Sequence, residues 1–144
     1  MNKFFLEEYK KVRSIGNIFW MRYEHLAEHV QSNGFKDVQS VVIPSLKELS
    51  YIHAVSEGIE HDITDYCHEH KLSGSEYSGI MLLLKPWIAA LAEYIEHMKV
   101  DFNPKMASDL FKNSESMSIT NADAAKFKDL NTKLAAKLEL LSYK

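Results

Sequence analysis

Apolar residues recur along this chain at the spacing of a helix, not of a strand. Between residues 3 and 32, Phe5, Tyr9, Val12, Phe19, Tyr23, Leu26 and Val30 follow one another at steps of three, four or seven. That spacing puts them on one stripe of a single long helix. Gly16 falls on the same stripe. A glycine there either lets a neighbouring helix come close or marks a break near Ser14-Ile15-Gly16-Asn17. Ser32-Asn33-Gly34 then supplies residues suited to a left-handed helix cap. Residues 36–43 carry Val38, Val41, Val42 and Ile43 in a run too short and isolated for a sheet. They are read as a turn of helix leading into Pro44. A second long helix is expected over 44–70, with Pro44 tolerated in its first turn and Ile52, Val55, Ile59, Ile63 and Tyr66 buried.

Ser73-Gly74-Ser75 separates that helix from a third, over 75–99, which contains Pro86. Proline removes one backbone hydrogen bond and clashes one turn back, so a kink or boundary is predicted at Lys85–Pro86. Beyond it Trp87, Leu91, Tyr94, Ile95 and Met98 share one face, and Glu93, Glu96 and His97 the other. Asn103-Pro104 reads as a cap and first residue of a short helix ending near Lys112. Asn113 to Thr120 reads as a polar loop. A last helix over 121–142 carries Phe127, Leu130, Leu134, Leu138 and Leu141 on one side. The pattern predicts an all-α, single-domain bundle over residues 1–144, with four to five main helices, mostly antiparallel. Its expected core is Phe5, Phe19, Tyr23, Ile52, Ile59, Ile63, Trp87, Leu91, Ile95, Phe127, Leu130 and Leu134.

Composition agrees. A hydrophobic content of 46% is ample for a packed interior and argues against disorder. Five glycines and three prolines are too few turn residues for an all-β chain of this length. The formal charge of −3 conceals an asymmetry: residues 54–101 hold three Lys/Arg against nine acids. That acidic middle third repels phosphate backbones and argues against nucleic acid as a partner. The lone cysteine, Cys67, excludes an internal disulfide and suits a reducing, cytoplasmic setting. The N-terminus lacks the apolar core of a signal peptide. The longest uninterrupted apolar run, Ile80 to Leu84, is far short of the ~20 residues of a membrane span, so no membrane insertion is expected.

Seven histidines invite a metal reading. His25 and His29 lie four apart on one helix, and His53 and His61 flank Glu57, so His25, His29 and His53 are the alternative metal ligands. A carboxylate-bridged di-iron bundle needs Glu-x-x-His on two helices, and the chain has none; its nearest match is Asp65-x-x-His68. On a helical wheel His53, Glu57, His61 and His68 lie opposite the Ile52–Ile59–Ile63 face, toward water. No metal and no cofactor is expected. Cys67 has only His68 beside it and reads as an inert thiol at the edge of the core.

Two family resemblances carry functional implications. Arg22 followed after six residues by His29, in a small helical bundle, resembles the active motif of HEPN-type ribonucleases. That likeness implies an alternative catalytic pair, Arg22 and His29, acting around a scissile phosphate. Leu83-Leu84-Lys85-Pro86, followed 28 residues later by Ser114-Glu115-Ser116, is similar to the N-terminal helical bundle of adenylyl cyclase-associated proteins. So is Glu8-Tyr9 with Val12, Phe19, Leu26 and Val30. This second likeness covers about a third of the chain and implies an actin- or cofilin–actin-binding bundle.

The reading that uses most of the pattern is a non-enzymatic helical bundle that binds another protein, a second copy of itself included, as an adaptor, regulator or inhibitor. Ile15, Ile18 and Met21 lie to the side of the main stripe of helix 1. A helix apolar on two sides meets two partners, either within its own fold or on another subunit. These three residues are the expected interaction surface.

Overall fold

A computed structural model describes residues 1–102 and 110–144, with side chains over 1–100, at 102 and over 120–144. Four helices account for nearly all of it: α1 (Lys3–Asn33), α2 (Gln39–Glu69), α3 (Ser75–Asp101) and α4 (Leu110–Ser142). There is no strand among the described residues. Short connections over 34–38 and 70–74 turn α1 into α2 and α2 into α3. Each helix packs on two neighbours, in the cyclic order α1, α2, α3, α4. Every pairing is antiparallel. Arg22 of α1 meets Glu48 of α2, Lys126 of α4 meets Glu93 of α3, and the backbone N–H of Asn2 donates to the Ser142 carbonyl. The result is an up-down-up-down four-helix bundle.

The helix ends follow local rules. Asn2 caps α1 by accepting from the Phe5 N–H at 3.2 Å, which satisfies one of the free donors of the first turn. Gly34 closes the other end with its N–H on the Val30 carbonyl; the stop expected of Ser32-Asn33-Gly34 is there, but at φ 62° and ψ −141°, a conformation open to glycine rather than the left-handed helical one. At Gly74 φ is 118°, a conformation that favours glycine, and the chain turns there into α3.

Three helix bounds differ from the sequence reading. α2 begins at Gln39, so the turn of helix expected before Pro44 is continuous with α2 and Pro44 lies inside the helix rather than in its first turn. Burial explains this: Val38, Val41 and Val42 are core residues, and apolar packing outweighs their weak helix propensity. α3 is continuous through Pro86, so no boundary falls at Lys85. α4 begins at Leu110, so the stretch 113–120 is helix where a polar loop was expected. No glycine or proline interrupts 110–142, and a helix once formed propagates cheaply through polar residues. The short helix expected from Asn103-Pro104 begins outside the described residues.

The interior is one continuous core. Phe5, Phe19, Ile52, Ile59, Ile63, Trp87, Leu91, Ile95, Phe127 and Leu134 are all buried in it; Tyr23 and Leu130 are half-buried. Among the described residues one helix, over 75–100, is by length and composition apolar enough to cross a membrane. Counting uninterrupted apolar runs overlooked it, because isolated polar residues such as Lys85 punctuate it. In the bundle its apolar side, including Ile80, Leu84, Trp87, Leu91 and Tyr94, is buried with the core.

Candidate functional site

Arg22, His29 and His53, singled out for catalysis or metal binding, each have their own partner. Arg22 donates through Nε to Glu48 at 2.7 Å, tying α1 to α2. His29 Nε2 lies 2.8 Å from the Lys36 carbonyl, across the turn after α1. His53 pairs with Glu57 at 3.4 Å and His61 with Asp65 at 3.1 Å, both along the outer face of α2. His25 is exposed on α1. Among the described residues no three His, Cys, Asp or Glu side chains converge as a metal site would require. His97 meets Asp123 of α4, and His70 stacks on Tyr66 at 4.0 Å between ring centres. Cys67 is buried, and burial pushes its thiol up, away from the reactive thiolate.

The expected interaction surface divides in two. Ile15 belongs to the core at 2% exposure and lies at the base of the groove between α1 and α2. Ile18 is half-buried and Met21 is 55% exposed. Ile18 lines a shallow groove of about 390 Å³ between α1 and α2, together with Tyr51, Val55, Lys10 and Lys11. Tyr51 is 67% exposed. Met21 stands one turn along α1 from Ile18 and extends the apolar strip. The wheel could not place Tyr51 here, because the rotation of α2 against α1 decides it.

A deeper groove, of about 420 Å³, runs along the seam between α1 and α4. Gly16 creates it. A Cβ at that position would stand 2.2 Å from Asn131 Nδ2, so the absent side chain lets α4 press its Asn131 amide against the backbone of α1. Asn131 is held in place from beneath, its Oδ1 accepting from the Trp87 indole N–H at 2.8 Å. This bond is buried and links α3 to α4. Phe19 and Phe127, 4.5 Å apart between ring centres, form the rest of the floor. One end of the groove carries Tyr9, Arg13 and Glu139; the other carries Trp20 and Lys128. Arg13 donates to the Tyr9 hydroxyl at 3.3 Å. A hydrogen bond to Glu139, assisted by desolvation, pushes the Tyr9 phenol up. Lys128 Nζ sits 4.0 Å over the Trp20 ring, a cation–π contact. A second hollow, of about 430 Å³, shares Trp20, Lys128 and Thr132 and continues the seam to Tyr23 and Asn121. There Tyr23 donates to Asn121 Oδ1.

The sequence held one signal for this groove, the glycine on the buried stripe. Of the two readings it allowed, close approach of a neighbour is the one the structure shows. Compared with protein-family models, curated proteins and solved structures, the chain matches none. The stretches resembling adenylyl cyclase-associated proteins fall in α1, in α3 and in the first half of α4.

Proposed function

We propose that this protein is a non-enzymatic helical bundle that works by binding protein through its α1–α2 face, with a second copy of itself as the partner. One observation carries the reading. Half-buried Ile18 and Val55 line the groove with exposed Tyr51, and exposed Met21 continues it along α1, an apolar strip that the protein's own core covers only in part. Other large apolar side chains are exposed too, among them Ile43, Leu82, Leu140 and Tyr143, but these do not line that groove. The edge of the strip carries both signs of charge: Lys10 and Glu7 lie 3.5 Å apart and are well exposed. In a two-fold interface the same patch meets itself, so an edge bearing both signs pairs with its copy, whereas a single sign repels it. The side chains are also of the right kind, since aromatic residues and methionine are enriched at interface centres.

Sedimentation of the purified protein over a range of concentrations tests the proposal. A monomer–dimer equilibrium is expected. Tyr51→Glu and Met21→Glu should shift it to monomer, each with an unchanged helical spectrum, because both side chains are exposed and play no part in the core. A wild-type protein that sediments as a monomer at every concentration would overturn the reading. So would a dimer indifferent to both substitutions.

A further inference from the structure

We infer that the α1–α4 groove is a binding site for a small, uncharged ring compound that carries a carbonyl. The carbonyl oxygen accepts from Asn131 Nδ2 at the Gly16 notch, and the ring lies over Phe19 and Phe127 toward Trp20. The donor comes first. Asn131 is 8% exposed, so a side chain more than nine-tenths buried forms part of the groove floor. Chemistry fixes its orientation. An indole N–H can only donate, so the atom that faces Trp87 is Oδ1, and Nδ2 looks the other way, into the notch at Gly16. Among the described residues nothing accepts from Nδ2. Glu8, Ser45 and Thr120 also hold unpartnered polar atoms, but those are sealed from solvent. Nδ2 is not sealed, because Asn131 and Gly16 both line the groove. A buried donor left unmet costs more than a met one gains, so this floor favours a ligand with an acceptor over one without.

Charge argues for a neutral ligand. Arg13 donates to the Tyr9 hydroxyl at 3.3 Å, and that hydroxyl is in turn bonded to Glu139. One end of the groove thus holds a cation and an anion joined through one phenol, and the two signs offset each other. At the other end Lys128 is exposed over the Trp20 ring, where water screens it. An ion taken out of water into the middle of the groove needs an opposite charge beside it. What meets it at the floor is a neutral amide next to two phenyl rings.

Size and shape set the rest. Sites for small organic molecules run from about 300 to 1,000 Å³, and this groove, at about 420 Å³, suits one ring or two fused rings. Gly16 on α1 and Ala135 and Ala136 on α4 keep the seam open, while Phe19, Phe127 and Trp20 offer ring faces and edges to an aromatic ligand. The floor is set before any ligand arrives, since Asn131 is pinned by Trp87 and lies against a position where even a methyl group has no room. A preformed site spares a ligand the cost of ordering it.

The test uses bicyclic compounds of one shape: indan-1-one, which has a carbonyl; indane, which lacks it; indole, which presents a donor instead; and indane-1-carboxylate, which adds charge. Nitrogen–proton NMR titrations follow the Asn131 side-chain amide directly, assigned through its contact with the Trp87 indole proton. Indan-1-one is expected to occupy a single site, to move those amide protons downfield, and to shift the backbone signals of Gly16 and Ala136. Indane and indole should bind at least about five-fold more weakly and leave the side-chain amide without a downfield shift, and the acid should bind no tighter than the ketone. Ala136→Trp, at an exposed helix position, should fill the groove and abolish binding of the ketone while the helical spectrum stays unchanged. Absence of binding at millimolar indan-1-one would overturn the inference. So would binding that leaves the Asn131 amide unmoved, equal affinity for indane or indole, tighter binding of the acid, or binding that survives Ala136→Trp.

Discussion

At the scale of the residue, two positions on α1 govern this bundle. Glu8 is 2% exposed on α1, and its Oε2 has no hydrogen-bond partner, while Oε1 accepts from Lys11 at 3.2 Å. Burial raises its pKa above the ordinary 4.5, with Asp62 across on α2 and Glu7 beside it acting in the same direction. The folded state therefore holds this proton more tightly than the unfolded chain does. The stability it contributes is full below pH 4.5 and is lost as pH rises through the higher folded value. Glu8→Gln should flatten that decline and raise stability at pH 7, read from denaturant midpoints between pH 4 and 7. A variant that retains the wild-type slope would show that Glu8 is not its source. Gly16 is the second. Alanine is the better helix former by about 1 kcal/mol, yet its methyl must displace the Asn131 amide and with it the buried bond to Trp87. Losing such a bond costs about 1–3 kcal/mol. Gly16→Ala should therefore destabilise by up to about 2 kcal/mol in chemical unfolding. In an Asn131→Ala background the same change should instead be neutral or stabilising. Destabilisation of equal size in both backgrounds would mean that the clash is with something other than the amide.

At the scale of the element, the long helices were largely legible. The stripe of α1 and the Gly34 stop lie where local periodicity and turn chemistry put them, because both depend only on neighbouring residues. Helix starts were harder. The start of α2 was placed five residues late because Pro44 suggested a first turn, whereas the turn of helix read before it runs on through the proline, held by the burial of Val41 and Val42. Pro86 shows the same competition. Its ring faces solvent, and Leu82, whose carbonyl loses the proline's missing N–H, is 75% exposed, so water can satisfy that carbonyl. Packing on both sides, from Ile80 and Leu84 before it to Trp87 and Leu91 after it, keeps α3 continuous. Pro86→Ala should restore the missing bond and stabilise the protein by about 1–3 kcal/mol, measured as a higher denaturant midpoint. A lower midpoint would mean that the proline's geometry is needed to seat Trp87 through Met98.

At the scale of the whole molecule, the four helices enclose one core and leave two grooves of different character. The α1–α2 groove is bordered by large apolar side chains and mixed charge, which suits a flat partner. The α1–α4 groove has a floor of Phe19, Phe127 and the pinned Asn131, with Arg13 and Glu139 at one end and Lys128 at the other. If the first is a self-association face, association and folding are linked by mass action. The thermal midpoint of the wild type should then rise with protein concentration, and that of Tyr51→Glu should not. A midpoint independent of concentration in both would count against the dimer.

The sequence by itself determined that the chain is all-helical, which residues form most of the core, and where α1 and α3 begin. These properties are local: a period of 3.6, a capping side chain and a glycine stop act through residues within about one turn of each other. Only the tertiary structure decided that Ile15 points inward, that Glu8 is buried, and that Gly16 lies against Asn131, 115 residues away. The same holds for the assembly of Tyr51 with Ile18, and of Arg13, Trp20 and Lys128 along one seam. The physical reason is that these contacts depend on the rotation and axial shift of one helix against another, set jointly by the packing of every core side chain, and the periodicity of a single helix carries neither quantity.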